Sequence, residues 1–176
     1  MDAGGRASLS LDMDAPYRFL AETQKSLLVS VAWSEPDSDG LMSFLAPLAV
    51  NGVTFGGLTL RGNCYRDYPD SATMFQLEVE RPGVRTRWPL LRLEWRPLNE
   101  PHKNPDKTLI FGTHFHPFDP NWVEGNQAMR SRNLPWAVEI APDLATYSEV
   151  IDFVANRFNI KGLDRLQPPR WIGRLL

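Results

Sequence analysis

"LMSFLAPLAVNGVTFGGLTLRG", residues 41–62, sets two apolar runs on either side of Asn51 and Gly52. Asn-Gly tolerates the positive φ angles of a two-residue type I′ turn, so the flanking runs read as an antiparallel hairpin. Gly56 and Gly57 interrupt the second run and mark a bulge or a close backbone approach. Upstream, "SLLVSVAW" (26–33) is a first apolar run, closed by the turn residues Pro36, Asp37, Asp39 and Gly40. Downstream, "SATMFQLEVERPG" (71–83) alternates, with Phe75, Leu77 and Val79 on one face and Gln76, Glu78 and Glu80 on the other. "WPLLRLEWRPL" (88–98) repeats the pattern, placing Leu91, Leu93 and Trp95 inward and Arg92, Glu94 and Arg96 outward. A sixth run, "TLIFGTHFHPF" (108–118), puts Phe111, Thr113 and Phe115 on one face and Ile110, Gly112, His114 and His116 on the other.

Short alternating runs separated by turn residues are the pattern of an antiparallel sheet. "WAVEIAP" (136–142) adds a seventh, edge strand. Residues 146–160, "TYSEVIDFVANRFNI", open with a T-x-x-E capping box of Thr146 and Glu149. Tyr147, Val150, Ile151, Val154 and Phe158 then form one apolar stripe, predicting a helix over 147–158. That stripe needs a partner, and the Phe75, Leu77, Leu91, Leu93, Trp95 face supplies it. A short helix is expected in "APYRFLAETQKS" (15–26), and the proline-bearing tail "LQPPRWIGRLL" (166–176) reads as extended. The fold class is therefore α+β: a mainly antiparallel sheet of six to seven strands with a C-terminal helix packed on one face. Residues 1–14 read as a flexible arm, and 15–176 as a single globular domain.

Composition narrows the function classes. The 176 residues are 43% hydrophobic and 23% charged with a formal net charge of −2, an ordinary globular make-up without a field that draws polyanions. No run approaches the roughly 20 apolar residues of a membrane span, so no membrane partner and a cytoplasmic location are expected. Cys64 is the only cysteine and reads as a small buried hydrophobe. No G-x-S-x-G elbow, phosphate loop or cofactor motif occurs.

Consecutive strands pair by default, so the outward faces of strands four, five and six merge. The merged face carries Glu78, Glu80, Arg92, Glu94, Arg96, His114 and His116. It reads in three ways: a solvated face with cross-strand Glu–Arg pairs, a general acid–base site built on His114 and His116 with Glu94 and Arg92, or a divalent transition-metal site using the two histidines. His102, in the loop "NEPHKNPDK" (99–107), is close enough in sequence to swing toward the pair. The His-x-His resembles a cupin strand for three residues only, and the cupin spacing fails on both sides. Buried histidines bonded to backbone carbonyls would remove the core of the enzyme reading, and an open face would keep it.

Two surfaces read as partner sites. Arg81, Arg85 and Arg87 with Trp88 cluster at the turn between strands four and five, a pattern suited to nucleic acid or an acidic partner. The aperiodic segment 119–135 and the residue after it contribute Trp122, Arg130, Arg132 and Trp136, types favoured at protein interfaces. A protein partner is expected, with no cofactor apart from the metal alternative, and the oligomeric state is open.

"LLRLEWRPLNEPHKNP", "GTHFHPF", "LPWAVEIAP" and the closing helix together resemble an uncharacterised bacterial and phage family of domains of unknown function, a likeness covering roughly the second half of the chain. It implies a mobile-element or defence setting but no activity. A strand with closely spaced histidines beside a small sheet and a terminal helix is also similar to some small toxins of bacterial toxin–antitoxin modules. This chain departs from them in being longer and acidic, and in lacking a nucleolytic motif. The function expected first is a binding or regulatory protein that contacts a macromolecule; the alternative is a small hydrolase or nuclease built on His114 and His116.

Overall fold

The computed structural model describes residues 15–80, 86–98, 101–122 and 133–170. Its centre is the hairpin of β2 (Leu41–Val50) and β3 (Val53–Tyr65). Asn51 and Gly52 take φ of 52° and 77°, and Val50 pairs with Val53 across the turn. The register jumps from Pro47↔Thr59 to Ala49↔Thr54, so Gly56 and Gly57 lie in an irregularity of β3. Gly57 has φ 85°, and a Cβ there would come within 2.8 Å of the Glu80 Cβ, the close approach that glycine permits.

β4 (Thr73–Glu80) and β5 (Arg87–Trp95) extend the hairpin antiparallel, as their alternation predicts. The sheet is larger than expected, and mixed. It has eight strands in the order β10-β1-β2-β3-β4-β5-β8-β9, with β1 (Lys25–Ser26), β8 (His114–His116), β9 (Val138–Glu139) and β10 (Ile160–Lys161) as short outer members. β10 runs parallel to β1, because helix α3 (Tyr147–Arg157) carries the chain back across the sheet and Asn159, at φ 51°, turns it into the edge.

Two expected strands are shorter than their hydrophobic runs. "SLLVSVAW" contributes only the start of β1 and a single bridge, Val31↔Leu166. "TLIFGTHFHPF" breaks at Gly112, whose φ is 64°. Leu109–Ile110 (β7) pairs with His102–Lys103 (β6) in a separate two-stranded sheet, while His114–His116 joins the main one. Phe111 is therefore exposed and does not share a face with buried Phe115.

α3 starts at the expected capping box: the Thr146 side chain accepts from the Glu149 N–H, and the Glu149 carboxylate reaches back to the Thr146 N–H. Val150, Val154 and Phe158 are wholly buried. They join Phe75, Leu77, Leu91, Leu93 and Trp95 in one cluster, and burying such side chains is worth about 1.5–3 kcal/mol each. Rings of Tyr147 and Phe158 meet Phe75 and Phe115. α1 (Ala15–Glu22) ends where the fully buried Lys25 ammonium donates to the carbonyls of Leu20, Ala21 and Thr23. Burial pulls this ammonium down to about 8. With the helix on one face, Arg92, Glu94, His114 and His116 lie on the other. Among the described residues no helix is long and apolar enough to cross a membrane.

Candidate metal centre

The opposite face is not a solvated one. His114 and His116 are 2% and 1% exposed, because the β6–β7 hairpin and residues 133–137 lie against this edge of the sheet, and Glu78 is 2% exposed among its bonding partners Arg61, Gln76 and Arg87. The register sets two rows of side chains across it. Arg61 opposes Gln76, Gln76 opposes Arg92, and Arg92 opposes His116; alongside, Asn63 opposes Met74, Met74 opposes Glu94, and Glu94 opposes His114.

Beside the first row, opposite Thr59, Glu78 sits at a hub. It accepts from Arg61 Nη2 at 2.9 Å, Gln76 Nε2 at 2.8 Å and Arg87 Nη1 at 3.3 Å. Burial raises the Glu78 carboxyl, but the bonds from Arg61 and Gln76 and the two guanidinium charges outweigh it and hold it below the ordinary value. Arg92 Nε donates to Gln76 Oε1 at 2.9 Å, and its Nη1 lies 3.5 Å from Glu94 Oε1. Arg96, expected beside Arg92, instead takes φ 46° at the end of β5 and reaches Asp143 and the carbonyls of Leu144 and Ala145.

At the end of the second row three imidazoles meet. His102, His114 and His116 have ring centroids 4.9–5.3 Å apart, and one ligating atom from each lies within 4.8 Å of the others. Each ring is fixed by a backbone carbonyl: His114 Nδ1 by Gly112 at 2.8 Å, His116 Nδ1 by Trp136 at 3.0 Å, and His102 Nε2 by Pro135 at 2.9 Å. A carbonyl only accepts, so these nitrogens carry the N–H, and a neutral ring then presents a bare lone pair on its other nitrogen. Burial, helped by Arg92 and His114, pushes His116 below its ordinary value despite Glu94, which favours the neutral form.

Two of these lone pairs face one carboxylate. Glu94 Oε2 is 3.6 Å from His114 Nε2 and Oε1 is 3.7 Å from His116 Nε2, too far for hydrogen bonds, and both buried Nε2 atoms have no partner. Burial raises the Glu94 carboxyl, but a charged, hydrogen-bonding His116, with His114 and Arg92, would hold it at about 2, and beside neutral imidazoles Arg92 still favours the ionised form. With both imidazoles neutral, two bare nitrogens and a carboxylate stand together with no donor between them among the described residues, an arrangement that a cation would relieve. An ion with nitrogen and oxygen ligands at about 2.1 Å in tetrahedral geometry separates those ligands by roughly 3.4 Å, close to the two Glu94–His distances. The carbonyls on the far nitrogens are the second-sphere partners that metal-bound histidines use to fix tautomer and orientation.

No family model, no curated protein and no solved structure matches this chain. The site therefore rests on its own geometry.

Of the residues expected to carry chemistry, His102, His114, His116 and Glu94 come together, with Arg92 beside them. His114 and His116 are buried and carbonyl-bonded, the condition set against the enzyme reading, yet each uses only one nitrogen in that bond; His102 is half-buried. What this removes is a solvent-exposed acid–base pair. The partner surfaces fare differently. Trp122, expected as an exposed aromatic, is 8% exposed and stacks on Phe118 (4.9–6.1 Å from Tyr17 and Trp88), because helix α2 (Phe118–Asn121) tucks it into the core. Arg87 is committed to Glu78 and Glu80, and the Trp136 backbone N–H and carbonyl both bond Asn121. Arg81, Arg85, Arg130 and Arg132 lie outside the described residues.

Sequence reasoning missed Asn121, and named Asn104 only as part of the family resemblance, with no structural role. The buried Asn104 amide bonds both the N–H and the carbonyl of Ala137, tying the His102 hairpin to the segment that holds His102 and His116 in place. Neither asparagine belongs to a periodic pattern, so nothing local marks it. Arg61 was legible in principle, since Thr59, Arg61 and Asn63 alternate on β3 and the hairpin register brings them to the Gln76 and Glu78 face.

Proposed function

We propose that this protein holds one divalent transition-metal ion on His102, His114, His116 and Glu94 and uses it as a small metal-dependent hydrolase. The observation that carries the reading is the meeting of three imidazoles whose ligating atoms lie within 4.8 Å of one another, with the unpartnered Nε2 atoms of His114 and His116 both turned toward the Glu94 carboxylate. Neutral nitrogens plus a carboxylate suit zinc, iron or nickel better than calcium or magnesium. A metal ion of this kind supplies Lewis acidity and activates water for attack on a carbonyl or ester.

The chain's own residues divide the remaining work. The imidazoles bind; the carbonyls of Gly112, Pro135 and Trp136 keep their lone pairs aimed inward. The Glu94 side chain is 30% accessible, whereas those of His114 and His116 are 3% and 1%, so substrate and water approach on its side. Arg92 holds Glu94 ionised and steadies it through Gln76. The resemblance of the second half to bacterial and phage domains carries no activity and adds nothing to this reading. A macromolecular interface built on Trp122 and Arg87 is less well supported, since the first is in the core and the second is ion-paired.

The test is elemental analysis of the purified, untagged protein beside the His114→Ala/His116→Ala double variant. About one equivalent of a transition metal in the wild type, absent from the variant, supports the site. A metal-free wild type that also fails to take up zinc, cobalt or manganese on dialysis overturns it.

A further inference from the structure

The neighbourhood of Glu94 also shows what kind of molecule would reach it. A cleft of about 380 Å³, in the range of small-ligand sites, opens along the second row of the outer face. Its floor is Asn63, Met74 and Glu94, and the same register continues to His114. At the opposite end stand Tyr65 and Tyr68, whose rings stack at 5.1 Å and 29°, and Leu98 closes the side. From β3 to β5 the cleft crosses two strand spacings, about 10 Å, the length of a molecule one or two rings long.

Charge decides the class. Among the described residues, Glu94 is the only charged side chain lining the cleft. The arginines of this face stand in the adjacent row, where Arg61 is bonded to Glu78 and Arg92 to Gln76 and Glu94, and neither lines it. Apart from the ion of the metal centre, a phosphodiester or other anion entering here would meet a carboxylate and, among the described residues, no side-chain cation. A flat uncharged group would meet a tyrosine face, the Met74 thioether and the Leu98 side chain, surfaces that favour aromatic rings.

We infer that the cleft is the substrate site of this metal centre and takes a small uncharged aromatic molecule, such as an aryl amide or ester, with the ring against Tyr65 and Tyr68 and the carbonyl at Glu94. This rests on the hydrolase reading for its chemistry, and it sets a polynucleotide substrate aside.

Two probe series separate the readings. With cobalt-loaded protein, the visible spectrum is titrated with acetohydroxamate and benzohydroxamate, which share a chelating head and differ by the ring. Benzohydroxamate is expected to bind roughly tenfold tighter, and Tyr65→Ala or Tyr68→Ala to abolish that ratio while leaving cobalt binding and the acetohydroxamate affinity intact. Equal affinities in the wild type, or an unchanged ratio in both variants, overturn the cleft. If no cobalt spectrum forms, the metal reading fails, and the cleft is judged on metal-free protein by NMR: benzamide should shift the ring protons of Tyr65 and Tyr68, and benzoate should not. No shift with benzamide, or an equal shift with benzoate, overturns the inference.

Discussion

Oε1 of Glu94 stands 3.7 Å from Nε2 of His116, beyond hydrogen-bonding distance yet near the separation two ligands keep around a common ion. Both atoms are acceptors in the protonation states their surroundings favour. The contact is therefore unfavourable by itself and becomes favourable with a cation between them, which makes metal loading a stability measurement.

Zinc or cobalt at about a hundred times its Kd should stabilise the fold by about 2.7 kcal/mol. In a domain of this size that corresponds to a rise of roughly 5–10 °C in Tm. Scanning calorimetry with metal, with excess chelator, and on His116→Ala checks it: the variant should show no metal-dependent shift. A wild-type Tm indifferent to metal would argue against the site.

Asn104 touches no histidine but locks the hairpin carrying His102 to Ala137. Asn104→Ala should leave a folded protein whose metal affinity is about 10–100-fold weaker, the range found when supporting groups around a site are removed. Competition against a chromophoric chelator reads this directly. Unchanged affinity would mean that the backbone alone positions His102.

Glu78 gives a pH dependence with a definite sign. Its carboxyl is depressed in the folded state relative to its ordinary 4.5, so the stability it contributes is present above that value and is lost as pH falls through the lower, folded pKa. Urea midpoints should drop on acidification below about pH 5. Glu78→Gln should flatten that drop and cost about 2 kcal/mol at neutral pH, less than a fully buried pair because Arg61 and Arg87 both reach solvent. An identical pH profile for the variant would show that other carboxylates control acid unfolding.

Gly62 on β3 faces the core, and a Cβ built there would lie 2.1 Å from Phe44 Cε1. Phe44 is itself 5% exposed and wedged edge-on by Trp33, so it has little room to withdraw. Gly62→Ala should cost about 1–3 kcal/mol in chemical denaturation, by overpacking. A loss below about 0.5 kcal/mol would mean that the ring repacks freely.

By itself the sequence determined the elements whose cause is local. Asn51-Gly52 fixes a turn whatever surrounds it, the alternation in 73–80 and 87–95 fixes which side chains share a face, and Thr146 with Glu149 fixes where α3 begins. Those features placed Glu94, His114 and His116 on one side of the sheet. Only the tertiary structure decided that this side is covered. Burial of the histidines depends on the β6–β7 hairpin and on residues 133–137, which meet through the Asn104 and Asn121 amides, contacts 33 and 15 residues apart in the chain. The break at Gly112 that sends Leu109–Ile110 into a second sheet, and the parallel docking of Ile160–Lys161 against Lys25–Ser26, likewise follow from distant partners. Hydrophobic period says which residues avoid water, but not which loop will exclude it from a polar face. For that reason His102 reads as a loop residue in the sequence and stands in the structure as the third imidazole of the site.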